Sequence, residues 1–139
     1  MKTILALQGD RDSGKTATIT KLFELIKKNG YTVIQDKKRK NSHDFFVIVQ
    51  KKGKKIGLCT CGDVKWVILS RIEIFIRVNC EVIVCACHRK GKTVEALQSV
   101  KGYSIEFFSK AVSANSNDHS KLNARDADIL FRRVEDLVS

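Results

Sequence analysis

Residues 9–16 read GDRDSGKT and lie between the apolar run TILALQ (3–8) and the segment KTATITKLFELIKK (15–28). The first flank predicts a short strand. The second has apolar residues at helical spacing, which predicts a helix that stops at Asn29 and Gly30. A glycine-containing turn between a strand and a helix directs backbone N–H groups inward, and the first helical turn adds unpaired N–H groups and the positive end of the helix dipole. We therefore interpret residues 9–16, called the glycine loop below, as a phosphate-binding loop.

The glycine loop matches the pattern G-x-x-x-x-G-K-[ST] at Gly9, Gly14, Lys15 and Thr16. In such a loop Lys15 is expected to reach the β- and γ-phosphates of a nucleotide, and the Thr16 hydroxyl to ligate Mg²⁺. With this motif at the start of a chain of alternating strands and helices, the sequence resembles the P-loop NTPases. The predicted nucleotide contacts are Gly9, Asp10, Asp12, Ser13, Gly14, Lys15, Thr16 and Ala17.

The resemblance also implies an acidic residue that orients the water shell of the metal from the end of a second apolar strand. Asp63, which follows KIGLCTCG, is the preferred candidate, and Asp36 is the competing one. A hairpin before this acid is similar to the kinase–GTPase division of the superfamily, and the expected chain path brings Asp63 beside the glycine loop. Lys15 and Asp63 are then the predicted catalytic pair, although Asp63 would also serve as an N-cap for a helix over residues 64–78.

Strand-like and helical segments alternate along the whole chain, which predicts an α/β protein with helices on both faces of a sheet. The resemblance makes this a three-layer α/β/α P-loop fold. Its mostly parallel sheet would contain one antiparallel hairpin strand, and residues 1–139 would form a single domain. The expected strands are 3–8, 31–35, 44–50, 55–61, 81–87 and 103–108; the expected helices are 15–28, 64–78, 91–100 and one from about Asn123; Gly53 lies in the hairpin turn.

The chain is strongly basic. Its 26 Lys and Arg residues exceed the 15 Asp and Glu residues and give a net charge of +11, which favours anionic partners such as nucleic acid, a phosphorylated substrate or an acidic protein. Two basic clusters, residues 37–40 and 88–92, follow strands that end at the same rim as the glycine loop, where Arg89 or Lys90 could neutralise a phosphoryl group. The hairpin lysines, residues 51–55, are expected to form a solvated surface.

The five cysteines lie in or beside apolar runs, and their odd number predicts reduced thiols in a cytoplasmic protein. They are expected to be buried thiols rather than metal ligands. No uncharged apolar segment reaches about 18 residues, so a membrane span is not expected. Of the three histidines, only His88 is placed near the predicted site, and the others are interpreted as surface residues.

The predicted function is Mg²⁺-dependent binding of a nucleoside triphosphate with cleavage of the β–γ bond. Residues 107–115 lack the Asn/Thr-Lys-x-Asp signature that accompanies guanine recognition in the resembled division, so ATP is the default nucleotide. The loop over residues 109–119 is expected at the same rim, where it would cover the base. Two alternatives stay open: a nucleotide or small-molecule kinase, and a non-catalytic module that senses nucleotides or binds nucleic acid.

Overall fold

A computed structural model describes residues 2–10, 13–37, 46–60, 65–88 and 91–139, without the side chains of residues 65, 66 and 116. Strands and helices alternate through these ranges as the hydrophobic pattern predicts. The elements are β1 (Thr3–Gln8), α1 (Lys15–Lys28), β2 (Thr32–Asp36), β3 (Phe46–Lys51), β4 (Lys54–Cys59), α2 (Lys65–Arg77), β5 (Val82–Cys87), α3 (Lys92–Gln98), β6 (Ser104–Ser109), a 3₁₀ turn (Ser116–Asp118) and α4 (His119–Val138).

The described strands form one six-stranded sheet in the order β2-β3-β4-β5-β1-β6. Strand β3 is antiparallel to both of its neighbours, and the pairs β4–β5, β5–β1 and β1–β6 are parallel. The β3–β4 turn places Lys52 and Gly53 at φ 54° and 77°, as a tight hairpin turn requires. The predicted mostly parallel sheet with one antiparallel hairpin strand is therefore confirmed.

Helices pack on both faces of the sheet because side chains alternate along each central strand. Leu5 and Leu7 of β1 belong to the core that α1 and α4 cover. Ile4 and Ala6 belong to the core beneath α2 and α3. All four side chains are at most 1 % exposed. The molecule is thus a mixed α/β protein, and its two helical layers are consistent with an α/β/α arrangement.

The order of the central strands differs from the expected chain path. Strand β5 lies between β1 and β4, whereas the sequence interpretation placed the end of the fourth strand beside the glycine loop. All six residues of β5, VIVCAC, are buried. Such a fully apolar strand suits a central position with a neighbour on each side and helices above and below, which is where the fold puts it.

The last helix begins earlier than predicted. Residues 119–122 (HSKL) already belong to α4, whereas the apolar spacing suggested a start near Asn123. Its first three residues, His119, Ser120 and Lys121, are polar and exposed, so they carry no hydrophobic period. The helix follows directly on the 3₁₀ turn, whose last residue, Asp118, accepts a hydrogen bond from Ser113 Oγ at 3.2 Å through Oδ2.

The described cysteines are buried thiols: Cys59, Cys80, Cys85 and Cys87. This agrees with their interpretation as small core residues, while Cys61 lies outside the described part of the chain. Within the described ranges, no three His, Cys, Asp or Glu side chains come together as a metal-binding group. None of the described helices has the length and apolar character that crossing a membrane would require.

Alkaline conditions are expected to destabilise the fold. Burial raises the pKa of Cys80 to about 12 and, with help from Cys80 and Glu81, that of Tyr103 to about 12. Above about pH 9 the unfolded chain loses these protons first, so stability falls as the pH rises, by up to about 1.4 kcal/mol per pH unit and ionising group. Urea midpoints at pH 8, 9.5 and 11 test this, and Cys80→Ala should reduce the fall. An unchanged midpoint at pH 11 would contradict the expectation.

Candidate functional site

The glycine loop leaves the sheet at the end of β1, which lies between β5 and β6. Gly9 N donates to the carbonyl oxygen of Cys87 on β5 at 3.1 Å, and Lys110 N donates to that of Gln8 at 2.7 Å. The start of the loop is therefore fixed by the strands on both sides of β1. The carboxyl ends of parallel strands next to helix N-termini are the usual ligand sites of open α/β sheets.

At both glycine positions of the motif, neighbouring atoms lie too close for a residue with a Cβ atom. A Cβ atom at Gly9 would lie 2.5 Å from Ser13 Oγ and 3.0 Å from Lys110 Cβ. Gly14 has φ +94°, in the left-handed region, and a Cβ there would lie 2.6 Å from Asn123 Oδ1. The described parts of the loop thus pack against each other and against α4 more closely than a side chain would allow.

The first turn of α1 is suited to an anion. Its N-cap is Gly14, no side chain in the described part of the chain caps its amides, and no acidic residue lies in this turn. Lys15 Nζ donates to the carbonyl oxygens of Gly9, at 2.7 Å, and Asp10, at 3.3 Å. A lysine ammonium therefore lies over the loop, beside the positive end of the helix dipole.

The structure brings most of the predicted nucleotide contacts together around this turn. Ser13 N donates to the carbonyl oxygen of Asp10 at 3.2 Å, Thr16 is half-buried and Ala17 is exposed at the start of α1. Asp12 lies outside the described residues. Ser13 Oγ is buried and has no hydrogen-bond partner within the described chain, which is rare for a hydroxyl in a folded protein.

Two acidic residues, Asp36 and Asp63, were candidates to orient the water shell of a bound metal, and the structure locates only the first of them. Asp36 ends β2, four strand positions from β1, which is about 19 Å at the usual strand spacing. It is therefore too far from the glycine loop to orient the water shell of a metal held there. Asp63 lies outside the described residues. The preceding strand, β4, is two positions from β1, or about 10 Å.

A cavity of about 380 Å³ lies beside the glycine loop and is called the side pocket. One wall belongs to the glycine loop, and the other belongs to the 109–119 loop and the start of α4. The lining residues are Asp10, Ser13, Gly14, Ala111, Val112, Ser113, His119 and Asn123. The 109–119 loop therefore reaches the rim of the glycine loop, as predicted, and the two enclose space for a small ligand.

A buried ion pair fixes the wall formed by the 109–119 loop. Lys110 Nζ lies 3.0 Å from Asp126 Oδ2, and the two side chains are 1 % and 9 % exposed. The same carboxylate oxygen accepts the Ala111 N–H at 2.9 Å. Asp126 thus holds both the side chain and the backbone of the segment that contacts Gly9.

Three residues of this region have roles that the sequence analysis did not predict. His119, interpreted as a surface histidine, lines the side pocket, and its Nε2 lies 3.1 Å from the Ser113 carbonyl oxygen. Asn123 and Asp126 are polar residues on the buried face of α4. The one available signal was their position: they lie four and one residues before Ala127, on the apolar side of an amphipathic helix.

The described residues of the basic clusters agree only in part with the sequence prediction. Within the rim clusters, Lys37 and Lys92 are exposed, while residues 38–40, Arg89 and Lys90 lie outside the described ranges. The hairpin lysines are only partly a solvated surface. Lys51 Nζ donates to the Asn29 carbonyl oxygen at 2.9 Å and lies 3.6 Å from Glu135 Oε1.

Comparison with protein-family models, with curated proteins and with solved structures found no match for this chain. The functional interpretation therefore depends on the geometry of the glycine loop and the side pocket.

Proposed function

We propose that the chain is a small P-loop NTPase with a three-layer α/β/α P-loop fold. It would bind a nucleoside triphosphate, ATP in the simplest case, together with Mg²⁺, and cleave the β–γ phosphoanhydride bond. The observation that carries the proposal is the first turn of α1, which starts at Gly14 with no side-chain cap among the described residues and lies next to the Lys15 ammonium. Both features attract a multiply charged anion to the same point.

The fit of the loop to a phosphate chain is supported by its two glycines. Without Cβ atoms at Gly9 and Gly14, the backbone approaches its neighbours closely, and the same property lets peptide N–H groups approach a ligand. In the proposed complex, phosphate oxygens replace the carbonyl oxygens of Gly9 and Asp10 as acceptors for Lys15. A lysine can make this change because its ammonium is a point charge on a flexible stem.

Among the described residues, Thr16 is the one proposed to ligate Mg²⁺, through its hydroxyl. This ion usually keeps several waters and completes its shell with substrate phosphates, so one hydroxyl on the glycine loop is a sufficient protein contact. When bound, the metal would neutralise charge that develops on the phosphate oxygens. Asp63 keeps its predicted role as the acid that orients the metal's water shell.

Calorimetric titration tests binding. ATP with Mg²⁺ should bind with a Kd between about 1 μM and 1 mM, the ordinary range for enzyme substrates, and chelation of Mg²⁺ should weaken binding. Absence of heat with ATP, GTP and inorganic tripolyphosphate on folded protein would refute the proposal.

Turnover assays distinguish the activities. Phosphate release from ATP by the protein alone supports hydrolysis, and stimulation by DNA adds a nucleic-acid partner for the basic rim. ADP release that requires a nucleoside monophosphate indicates a kinase instead. Binding without any release indicates a sensor.

A further inference from the structure

We propose that the end of the molecule opposite the glycine loop binds the phosphate backbone of double-stranded nucleic acid. The proposal is independent of nucleotide binding at the glycine loop, and it assigns nucleic acid to a different surface from the basic rim. Strands β1, β4, β5 and β6 are parallel, so the glycine loop lies at their carboxyl ends and the segments that precede them lie at the other end. The lysines of that end, here called the basal lysines, are Lys28, Lys52, Lys54 and Lys101.

The basal lysines come from four different segments. Lys28 is the last residue of α1 and Lys54 is the first residue of β4, while Lys52 lies in the β3–β4 turn and Lys101 lies in the turn before β6. Three of them are exposed, and Lys54 is half-buried. None of the four has an ion-pair partner among the described residues. Their charges are therefore available to an external anion.

An open cavity of about 400 Å³, here called the basal pocket, includes Lys52 in its wall. Its described lining residues have neither a carboxylate nor a purely hydrocarbon side chain: they are Gly30, Thr32, Gln50, Lys51, Lys52 and Gly53. The Lys51 ammonium is fixed there, since it donates to the Asn29 carbonyl oxygen at 2.9 Å and lies 3.6 Å from Glu135 Oε1. Ammonium, hydroxyl and amide donors together suit the oxygens of a phosphate group.

The spread of the basal lysines favours a polyanion over a small phosphorylated molecule. Strands β4 and β6 are three positions apart in the sheet, which is about 14 Å at the usual strand spacing. Lys54 and Lys101 lie at or next to the start of these two strands. Along a nucleic-acid duplex that distance covers about four base pairs, at about 3.4 Å for each phosphate of one strand. One duplex can therefore contact both lysines, whereas a single phosphate group cannot.

The side chains at this end favour a duplex over a single strand or a membrane. Among the described large apolar residues, Phe107 is the exposed aromatic one, and it lies in the half of β6 that runs toward the glycine loop. The basal end thus offers no exposed ring, within the described ranges, on which unpaired bases would stack. The hairpin segment KKGKK (51–55) contains no apolar residue that would enter a lipid surface. A duplex presents phosphates and needs neither feature.

Fluorescence anisotropy with a labelled DNA duplex of random sequence tests the proposal. The unmodified protein should bind it with a Kd between about 1 and 100 μM at physiological salt, the usual range for sequence-independent binding. The double variant Lys52→Gln, Lys54→Gln should bind at least about 10-fold more weakly at about 50 mM salt. Its slope of log Kd against log salt should be smaller by about 2, since each lost phosphate contact removes about 0.9.

The double variant Lys37→Gln, Lys92→Gln is the matched control. It removes the same charge from two exposed lysines near the glycine loop, and its affinity for the duplex should stay within about threefold of the original because distant charges are screened. A loss confined to this control would place DNA on the basic rim and overturn the proposal. Equal losses in both double variants, with folding verified by circular dichroism, would show that only net charge matters and would also overturn it.

Polyglutamate and vesicles that contain phosphatidylserine test the class of partner. At the same concentration of negative charge, neither should displace the duplex from the unmodified protein. If either bound as tightly as the duplex and lost that binding in Lys52→Gln, Lys54→Gln, the basal end would be a site for an acidic protein or a membrane, and the assignment to nucleic acid would be wrong. Absence of duplex binding at about 50 mM salt, where phosphate contacts are strong, would overturn the proposal outright.

Discussion

Lys15→Ala is expected to weaken binding of ATP with Mg²⁺ at least about 100-fold, which corresponds to about 2.7 kcal/mol, the size of a strong charge-assisted hydrogen bond. Lys15 Nζ lies over the glycine loop, 2.7 Å from the Gly9 carbonyl oxygen. Its removal takes away the ammonium group that lies over this loop. ATP turnover should fall by at least the same factor, because charge on the phosphate oxygens grows during the reaction. Titration calorimetry and a phosphate-release assay measure the two effects.

Lys28→Ala is the matched control for this experiment. It removes the same charge from the same helix, but from the last residue of α1, about 20 Å from Lys15 along the helix axis. Binding should change less than about threefold, since a charge at that distance is largely screened by salt. If both variants lost affinity equally, binding would reflect the net charge of the chain, and the assignment to the glycine loop would be wrong.

Asp126→Ala is expected to lower the free energy of unfolding by about 3–5 kcal/mol, the usual cost of leaving one member of a buried ion pair without its partner. The Lys110 side chain is 1 % exposed, so its ammonium would remain in the interior with its charge uncompensated. The Ala111 N–H would lose its acceptor as well. Urea denaturation followed by circular dichroism gives the change in stability.

The double variant Lys110→Met, Asp126→Leu tests the reason for that loss. Replacing both charges with apolar side chains of similar size often costs little, so its stability should return to within about 2 kcal/mol of the original. A loss below about 1 kcal/mol in Asp126→Ala would show that water reaches Lys110. A double variant as unstable as Asp126→Ala would show that packing, and not the unpaired charge, determines the stability.

The elements of the fold were largely predictable because their signals are local. The bounds of α1 agree with the sequence prediction, since its apolar spacing and the neighbouring Gly14 and Asn29 lie within one short segment. The β3–β4 hairpin was predictable for the same reason, through Gly53. By contrast, the start of α4 was missed because its first three residues, 119–121, are polar.

The candidate site was predictable in part. The motif identified Gly9, Gly14 and Lys15, and the fold places these residues together at the carboxyl end of β1. The second wall of the site could not be predicted in this way. Asn123 and Thr18 meet across 105 positions of the chain, and Lys110 is paired with Asp126 from a different element. Neither pair has a signature in its own neighbourhood.

The sequence by itself determined which segments become strands and helices and where the glycine loop begins, because hydrophobic period, glycine conformation and turn chemistry act between residues a few positions apart. The tertiary structure decided that β5 separates β1 from β4, that Asp36 lies far from the loop, and that α4 completes the side pocket. These depend on how distant segments pack into one common core, where many pairings of apolar surfaces compete and no local pattern selects among them.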